Sequence, residues 1–93
     1  MYAFGRYKKE IRDKYLDLYN KFHAMKEYSR HGGALDRGEA DSWYERPVDP
    51  HYYAGATGAS EKVMITDTES EAYDAYMAGY IWNDELHAHK DWG

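Results

Sequence analysis

Apolar residues recur at alternating strides of three and four along the first third of the chain, which is the pattern of an amphipathic helix. The pattern predicts one long helix within residues 1–31, and Gly32 and Gly33 supply its stop signal. Its apolar positions are Phe4, Tyr7, Ile11, Tyr15, Leu18, Phe22, Met25 and Tyr28.

The length of this helix raises a packing problem. A helix of about 25 residues would be about 37 Å long, whereas a compact globule of this chain length is about 30 Å across. The helix therefore either bends or projects and packs on a partner. A homodimer through residues 4–28 is the prediction that follows from the second alternative.

A second, shorter helix is predicted over residues 34–46, where Leu35, Gly38, Ser42 and Trp43 fall on or beside one face. Pro47 ends it, because a proline forces the preceding residue toward extended geometry, and Pro50 keeps the following arm open. Residues 47–66 show no clear periodicity. They form either a binding loop or a loop with a short strand at Lys62 to Ile65.

The third helix is predicted over residues 67–88. Two capping-box patterns, Thr66-x-x-Glu69 and Thr68-x-x-Glu71, mark its start. Gly38 and Gly79 each lie inside a predicted helix, where glycine is costly, so we expect helices two and three to cross closely at these positions. The fold class is all-α: a long N-terminal amphipathic helix plus a helix-loop-helix unit.

The chain has 93 residues and no cysteine, so it is expected to form one domain without disulfides or a thiolate metal site. It shows neither a signal-peptide pattern nor an apolar run of membrane-spanning length. We therefore expect a cytoplasmic protein with no membrane contact.

Charge is divided unevenly along the chain. Residues 1–33 carry eight Lys or Arg and four Asp or Glu, whereas residues 34–93 carry four and thirteen, and the whole chain has a net charge of −5. The basic helix and the acidic body could complement one another. Alternatively, the basic helix contacts nucleic acid, or the acidic face occupies a partner's nucleic-acid site.

Motifs of known catalytic chemistry are missing from the sequence, so we predict that the protein is not an enzyme and needs no cofactor. The best metal candidate is Asp84-Glu85-Leu86-His87-Ala88-His89, whose spacings could place two ligands on one helical face. Two ligands do not complete a site, and no metal is predicted.

Tyrosine is over-represented, with 11 residues beside three tryptophans. These rings either complete a small core or form a binding patch, since both uses are common. The second predicted helix and the arm concentrate aromatic and arginine side chains, the types that dominate interfaces, and His51 is expected to act there in recognition. The predicted partner-binding residues are Arg37, Asp41, Trp43, Tyr44, Arg46, His51, Tyr52 and Tyr53.

Two short pieces of the sequence resemble the ribosome modulation factor family and its small phage and bacterial relatives. They are Arg37-Gly38-x-Ala40 running into Arg46-Pro47-x-x-Pro50, and Tyr76-x-x-Gly79-Tyr80. The resemblance implies a helix-loop-helix unit whose partner is a large ribonucleoprotein.

The function favoured by the acidic balance is a small interaction protein, a phage or bacterial accessory factor that binds and modulates a host protein such as an enzyme. The alternatives are a ribosome- or RNA-associated regulator that uses the basic first helix, and a structural component of an assembly.

Overall fold

A computed structural model describes residues 8–55 and 61–85. In chain order the elements are α1 (Lys9–His23), α2 (Lys26–Ser29), α3 (Ala34–Trp43), β1 (His51–Tyr53), β2 (Lys62–Met64) and α4 (Glu71–Glu85). The predicted helical fold with a short strand in the loop is thus confirmed.

The first helix is shorter than predicted, because it stops at His23 and resumes only as the single turn α2. Met25 between them has extended backbone, with φ −99° and ψ 107°. The break brings the ring of Tyr28 edge-on to that of Phe22, at 5.4 Å between centroids. Residues six apart on a continuous helix do not face one another, so this contact requires the bend. Residues 1–7 of the predicted helix lie outside the described residues.

The apolar stripe of α1 packs inside its own chain. Phe22 is buried, Tyr15 and Leu18 pack against the same core, and Tyr19 stacks on Trp82 of α4 at 4.2 Å. Of the described stripe residues, Ile11 stays 43% exposed. This packing uses most of the stripe on which the homodimer prediction rested, and that dimer remains an untested prediction.

Helices α3 and α4 make the closest packing in the fold, and the predicted glycine crossing is confirmed. A Cβ atom on Gly38 would lie 2.9 Å from the Tyr80 nitrogen, and one on Gly79 would lie 3.2 Å from the Glu39 nitrogen. Small or short side chains recur every fourth residue on both buried faces. They are Ala34, Gly38 and Ser42 on α3, and Ala75, Gly79 and Asn83 on α4.

The two helices run roughly parallel where they cross. Ala34 and Ala72 line one cavity near the start of both helices. Further along both helices, the side-chain amide of Asn83 donates to the Ser42 hydroxyl at 3.1 Å. Since contacts advance in the same direction along α3 and α4, the segment that joins them must travel back along the crossing.

That connection begins earlier than predicted, because α3 ends at Trp43 and not at residue 46. Glu45 has a positive φ of 58°. Its amide donates to the Ser42 carbonyl at 2.9 Å, and the Arg46 amide donates to the Asp41 carbonyl at 2.7 Å. These two bonds form a Schellman motif, which turns the chain out of the helix one residue before the proline effect can act.

The arm returns as an antiparallel two-stranded sheet. The alternative with a short strand near Lys62 is confirmed as β2, whereas its partner β1 falls in the arm, where no strand was predicted. The register pairs His51 with Met64, Tyr52 with Val63 and Tyr53 with Lys62. Residues 56–60 of the predicted loop lie outside the described residues.

The start of α4 was placed too early by the threonine capping boxes. The hydroxyl of Ser70 accepts the Tyr73 amide at 3.1 Å, so Ser70 caps the helix. Asp67 occupies the preceding turn, where its carboxylate accepts the Glu69 amide at 2.9 Å. Predicted helix residues 86–88 lie outside the described residues.

Charge complementarity between the basic first helix and the acidic body is visible at one side of the fold. Lys21 pairs with Glu71 at 3.6 Å, and the hydroxyls of Tyr15 and Tyr28 donate to Asp74 and Glu71 at 3.5 and 3.0 Å. The ion pair is exposed and therefore adds little to stability.

Candidate partner-binding surface

The C-terminal end of α3 presents two aromatic side chains to solvent. Trp43 is 41% exposed and Tyr44 is 39% exposed. The guanidinium of Arg46 lies over the Tyr44 ring at 4.7 Å, and Val48 on the arm is also exposed. We call Trp43, Tyr44, Arg46 and Val48 the aromatic patch. The patch contains three of the eight residues predicted to bind a partner.

Asp41 lies beneath this patch and fixes it to the core. Asp41 is 3% exposed, and its carboxylate accepts the Tyr76 hydroxyl at 2.5 Å and pairs with Arg46 at 3.2 Å. The Tyr80 hydroxyl donates to the Arg46 carbonyl at 2.5 Å. One buried carboxylate and two α4 tyrosines therefore hold the backbone and side chain of Arg46 in place.

The same network continues into the arm. The Tyr76 hydroxyl accepts the Asp49 amide at 3.0 Å. His51 places its Nδ1 atom 2.5 Å from the Asp49 carbonyl and 3.8 Å from the Asp41 carboxylate. Since a carbonyl can only accept, the tautomer with the proton on Nδ1 fits this geometry. The arm is thus tied to both α3 and α4.

The surroundings of Tyr76 keep its phenol protonated. Burial raises the pKa of Tyr76 well above its ordinary value, and the hydrogen bond to the Asp41 carboxylate raises this pKa further. The phenol consequently keeps its proton and acts as a donor to Asp41. This arrangement suits a structural role. It could not be recognised from sequence, because Asp41, His51 and Tyr76 are far apart in the chain.

Two of the predicted binding residues are therefore corrected. Asp41 and His51 are each only 3% exposed, so neither presents a surface that a partner could contact in this fold. His51 was expected to act in recognition. Its side chain instead packs against the rings of Tyr53 and Tyr76, at 5.6 and 5.9 Å.

Tyr53 and Arg37 lie toward the start of α3, and Arg37 is six residues before Trp43, about 9 Å away along the helix axis. The Tyr53 amide donates to the Gly32 carbonyl at 2.8 Å, and Arg30 donates to the Tyr53 carbonyl at 2.7 Å. The Arg37 guanidinium lies 5.5 Å from the Tyr53 ring centre. These residues anchor β1 and do not join the aromatic patch.

Tyr52 lies in a different environment again. Its side chain is half-buried against the core and lines a cavity of about 300 Å³. The walls of the cavity are Glu27, Tyr28, Arg30, Ala34, Tyr52 and Ala72. Truncation of Tyr52 is therefore expected to cost stability, contrary to the role of an exposed anchor.

A groove of about 230 Å³ runs beside Trp43 and was not predicted. It is lined by Asp36, Glu39, Ala40, Trp43 and Asn83. The first four recur at helical spacings of three and four on α3, which is a signal that the sequence contained. The polar character of Asp36 and Glu39 made this face look like ordinary solvated surface.

Glu39 is the most perturbed acid of the groove. Burial raises the pKa of Glu39, the hydrogen bond from Tyr19 lowers it, and the nearby Asp36 raises it again. Asp36 itself accepts the Gly32 amide at 2.9 Å. Both carboxylates keep lone pairs for a further donor, because an ionised carboxylate can accept about four hydrogen bonds.

Residues 8–55 and 61–85 contain no group of three or more side chains placed to hold a metal ion. In the metal candidate of the sequence, Asp84 and Glu85 are buried, while His87 and His89 lie outside the described residues. Within the same ranges, none of the helices combines the length and apolar character needed to cross a membrane.

Comparison of the chain with protein-family models, with curated proteins and with solved structures gave no match.

Proposed function

We propose that the protein is a non-enzymatic accessory factor that binds another protein through the aromatic patch. The observation that carries this proposal is the exposure of Trp43 and Tyr44 directly above the buried Asp41 network. Tryptophan, tyrosine and arginine are the residue types that most often dominate binding energy at protein interfaces.

The support beneath the patch is what separates it from ordinary exposed rings. Arg46 is held through both its side chain and its carbonyl, and the arm that carries Val48 is tied down through Asp49. A surface that is already ordered loses less conformational entropy when a partner binds. The patch is therefore suited to binding as a preformed surface.

We further propose that the partner is a host protein modulated by this small acidic factor, in the manner of phage or bacterial accessory proteins. The support is the net charge of −5, with the acidic residues concentrated after residue 33. A strongly acidic surface favours basic partners and slows association with acidic ones.

A second candidate uses α1 and an RNA or ribosomal partner. Lys9 and Lys14 on α1 and Lys8 just before it are exposed, and such side chains contact phosphates. This candidate agrees with the ribonucleoprotein partner implied by the sequence resemblance. It predicts strong weakening of binding by salt and by nuclease.

The experiment that tests the main proposal compares Trp43→Ala with Ile11→Ala. Both side chains are large, apolar and about equally exposed, but Ile11 lies on α1, outside the patch. Partners are captured from bacterial lysate with and without nuclease, and the affinity of the recovered partner is then measured for each variant.

We expect Trp43→Ala to weaken binding by about 1–3 kcal/mol, and Ile11→Ala to leave it unchanged. The thermal midpoint of both variants should stay near that of the parent, since exposed side chains contribute little to the core. Full affinity for Trp43→Ala would refute the proposal, and loss of the partner on nuclease treatment would favour the RNA candidate.

A further inference from the structure

The groove beside the aromatic patch combines an exposed indole with carboxylates. Its lining includes Trp43 and Ala40, and Glu39 and Asp36 lie one and two turns before Trp43 on the same face of α3. Asn83 from α4 also lines the groove, and its side-chain amide donates to the Ser42 hydroxyl. All five lining residues lack positive charge.

The surroundings of the groove add to its negative character. Glu45 is exposed immediately after Trp43 and Tyr44, and carries a further carboxylate at the edge of the patch. The one arginine of the patch, Arg46, is paired with the buried Asp41 at 3.2 Å, so its charge is matched within the fold. A partner segment that covers Trp43 would therefore meet negative charge from Asp36, Glu39 and Glu45.

The chemistry of lysine and arginine fits both parts of this groove. Each has an aliphatic stem that packs along apolar surface and a cationic head that remains polar. Cations are also attracted to the faces of aromatic rings, most strongly to tryptophan. A head group near Asp36 and Glu39 with its stem along Trp43 would satisfy the groove, whereas an acidic side chain would be repelled.

We propose that the partner segment is a basic amphipathic one, which places a Lys or Arg side chain in the groove and an apolar side chain on the aromatic patch. This inference rests on the proposed function, and it names the chemistry of the partner. The charge complementarity excludes nucleic acid from this face, because phosphates would be repelled by the same carboxylates.

The probe is a pair of synthetic amphipathic helical peptides with the same leucine pattern. One carries lysine at every polar position of one face, and the other carries glutamate there. Binding to the full chain is followed by NMR, using the amide signals of Ala40 and Trp43 and the Trp43 indole signal. We expect saturable shifts at these signals with the lysine peptide only, and weaker binding as salt is raised.

Two double variants distinguish the effect of the groove carboxylates on peptide binding from the effect of the net charge of the protein. Asp36→Asn with Glu39→Gln removes the groove carboxylates, while Asn and Gln keep an acceptor for the Gly32 amide and the Tyr19 hydroxyl. Glu10→Gln with Asp17→Asn removes the same charge from exposed positions on α1. The groove variant should bind the lysine peptide roughly tenfold more weakly, and the α1 variant should bind it as the parent does.

Equal binding of the two peptides, equal losses in the two double variants, or no saturable binding of the lysine peptide would each overturn the inference. These outcomes are distinguishable from failure of the proposed function. If Trp43→Ala loses the natural partner while the groove variant retains it, the patch binds a partner of other chemistry. If Trp43→Ala retains the natural partner, the proposed function itself has failed.

Discussion

Gly38 and Gly79 sit in the contact between α3 and α4, each against the backbone of the opposite helix. A Cβ atom on Gly38 would collide with the Tyr76 carbonyl oxygen, and one on Gly79 would collide with the Leu35 carbonyl oxygen. The obstacles are backbone atoms, which cannot rotate away as a flexible side chain could. The pair thus fixes how closely the two helices approach.

We predict that Gly38→Ala destabilises the fold by about 1–3 kcal/mol through overpacking. Helix propensity alone would give the opposite result, because alanine stabilises a helix by about 1 kcal/mol relative to glycine. Urea unfolding measures the difference. Asn20→Ala on the exposed face of α1 is the control and should be neutral or slightly stabilising, and a stabilised Gly38→Ala would mean that the helices can separate without cost.

This crossing could be predicted from sequence because two glycines interrupted otherwise regular helical patterns. The length of the first helix left a bend as one of two alternatives, but the position of the break between α1 and α2 could not be predicted, because the apolar stripe continues through Met25 to Tyr28 with correct spacing. Only the packing of Tyr28 on Phe22 reveals why the helix bends. Periodicity reports which residues face the core, and it is insensitive to a bend that keeps them there.

Glu45 is a non-glycine residue in the left-handed region, with φ 58°. At this position of a Schellman motif glycine avoids the steric cost of a Cβ atom. We predict that Glu45→Gly stabilises the protein by about 0.5–1 kcal/mol, as measured by urea unfolding.

The matched control makes the same exchange inside a helix. Glu10→Gly in the first turn of α1 should lower stability by about 1 kcal/mol, because the position is helical and glycine has more freedom in the unfolded chain. If both variants were destabilised equally, the left-handed conformation of Glu45 would carry no strain.

Tyr76 links Asp41 to the Asp49 amide, so its hydroxyl serves one buried group and one partly buried group. We predict that Tyr76→Phe costs about 1–3 kcal/mol, since both groups lose a partner that water cannot easily replace. Hydrogen exchange of the Asp49 amide should also accelerate, because this amide is released from its acceptor.

Tyr73→Phe is the control for loss of a phenol on the same helix, where the side chain is half-buried. Its effect should stay within about 0.5 kcal/mol. Slow exchange of Asp49 in Tyr76→Phe would show that the arm is held by other contacts, above all those of His51.

The binding surface was predictable only where its residues are close together in sequence. Trp43, Tyr44 and Arg46 lie within four residues at the end of one helix, so their proximity in space follows from their proximity in sequence. Asp41 and His51 were grouped with them by composition, but their exposure depends on Tyr76, which is 35 residues from Asp41 along the chain. Burial of polar residues is decided by such distant partners, and periodicity does not report them.

The buried carboxyl of Glu39 should make the stability of the fold depend on pH. Burial raises the pKa of this carboxyl above its ordinary value of 4.5, helped by Asp36 and opposed by Tyr19 and His23. A raised pKa in the folded state means that folding favours the protonated form. The stability contributed by that form is complete below pH 4.5 and is lost as pH rises through the folded pKa.

Glu39→Gln replaces the carboxyl with a neutral group of similar shape, whose oxygen can still accept the Tyr19 hydroxyl. We therefore predict that the variant has a higher thermal midpoint than the parent at neutral pH, and that the difference disappears below pH 4.5. Glu10→Gln, an exposed position on α1, is the matched control and should show no such divergence with pH. If Glu39→Gln were instead less stable at neutral pH and equal in acid, the ionised carboxylate would be favoured in the fold, and the cost that burial imposes on Glu39 would have to be offset by the Tyr19 hydrogen bond.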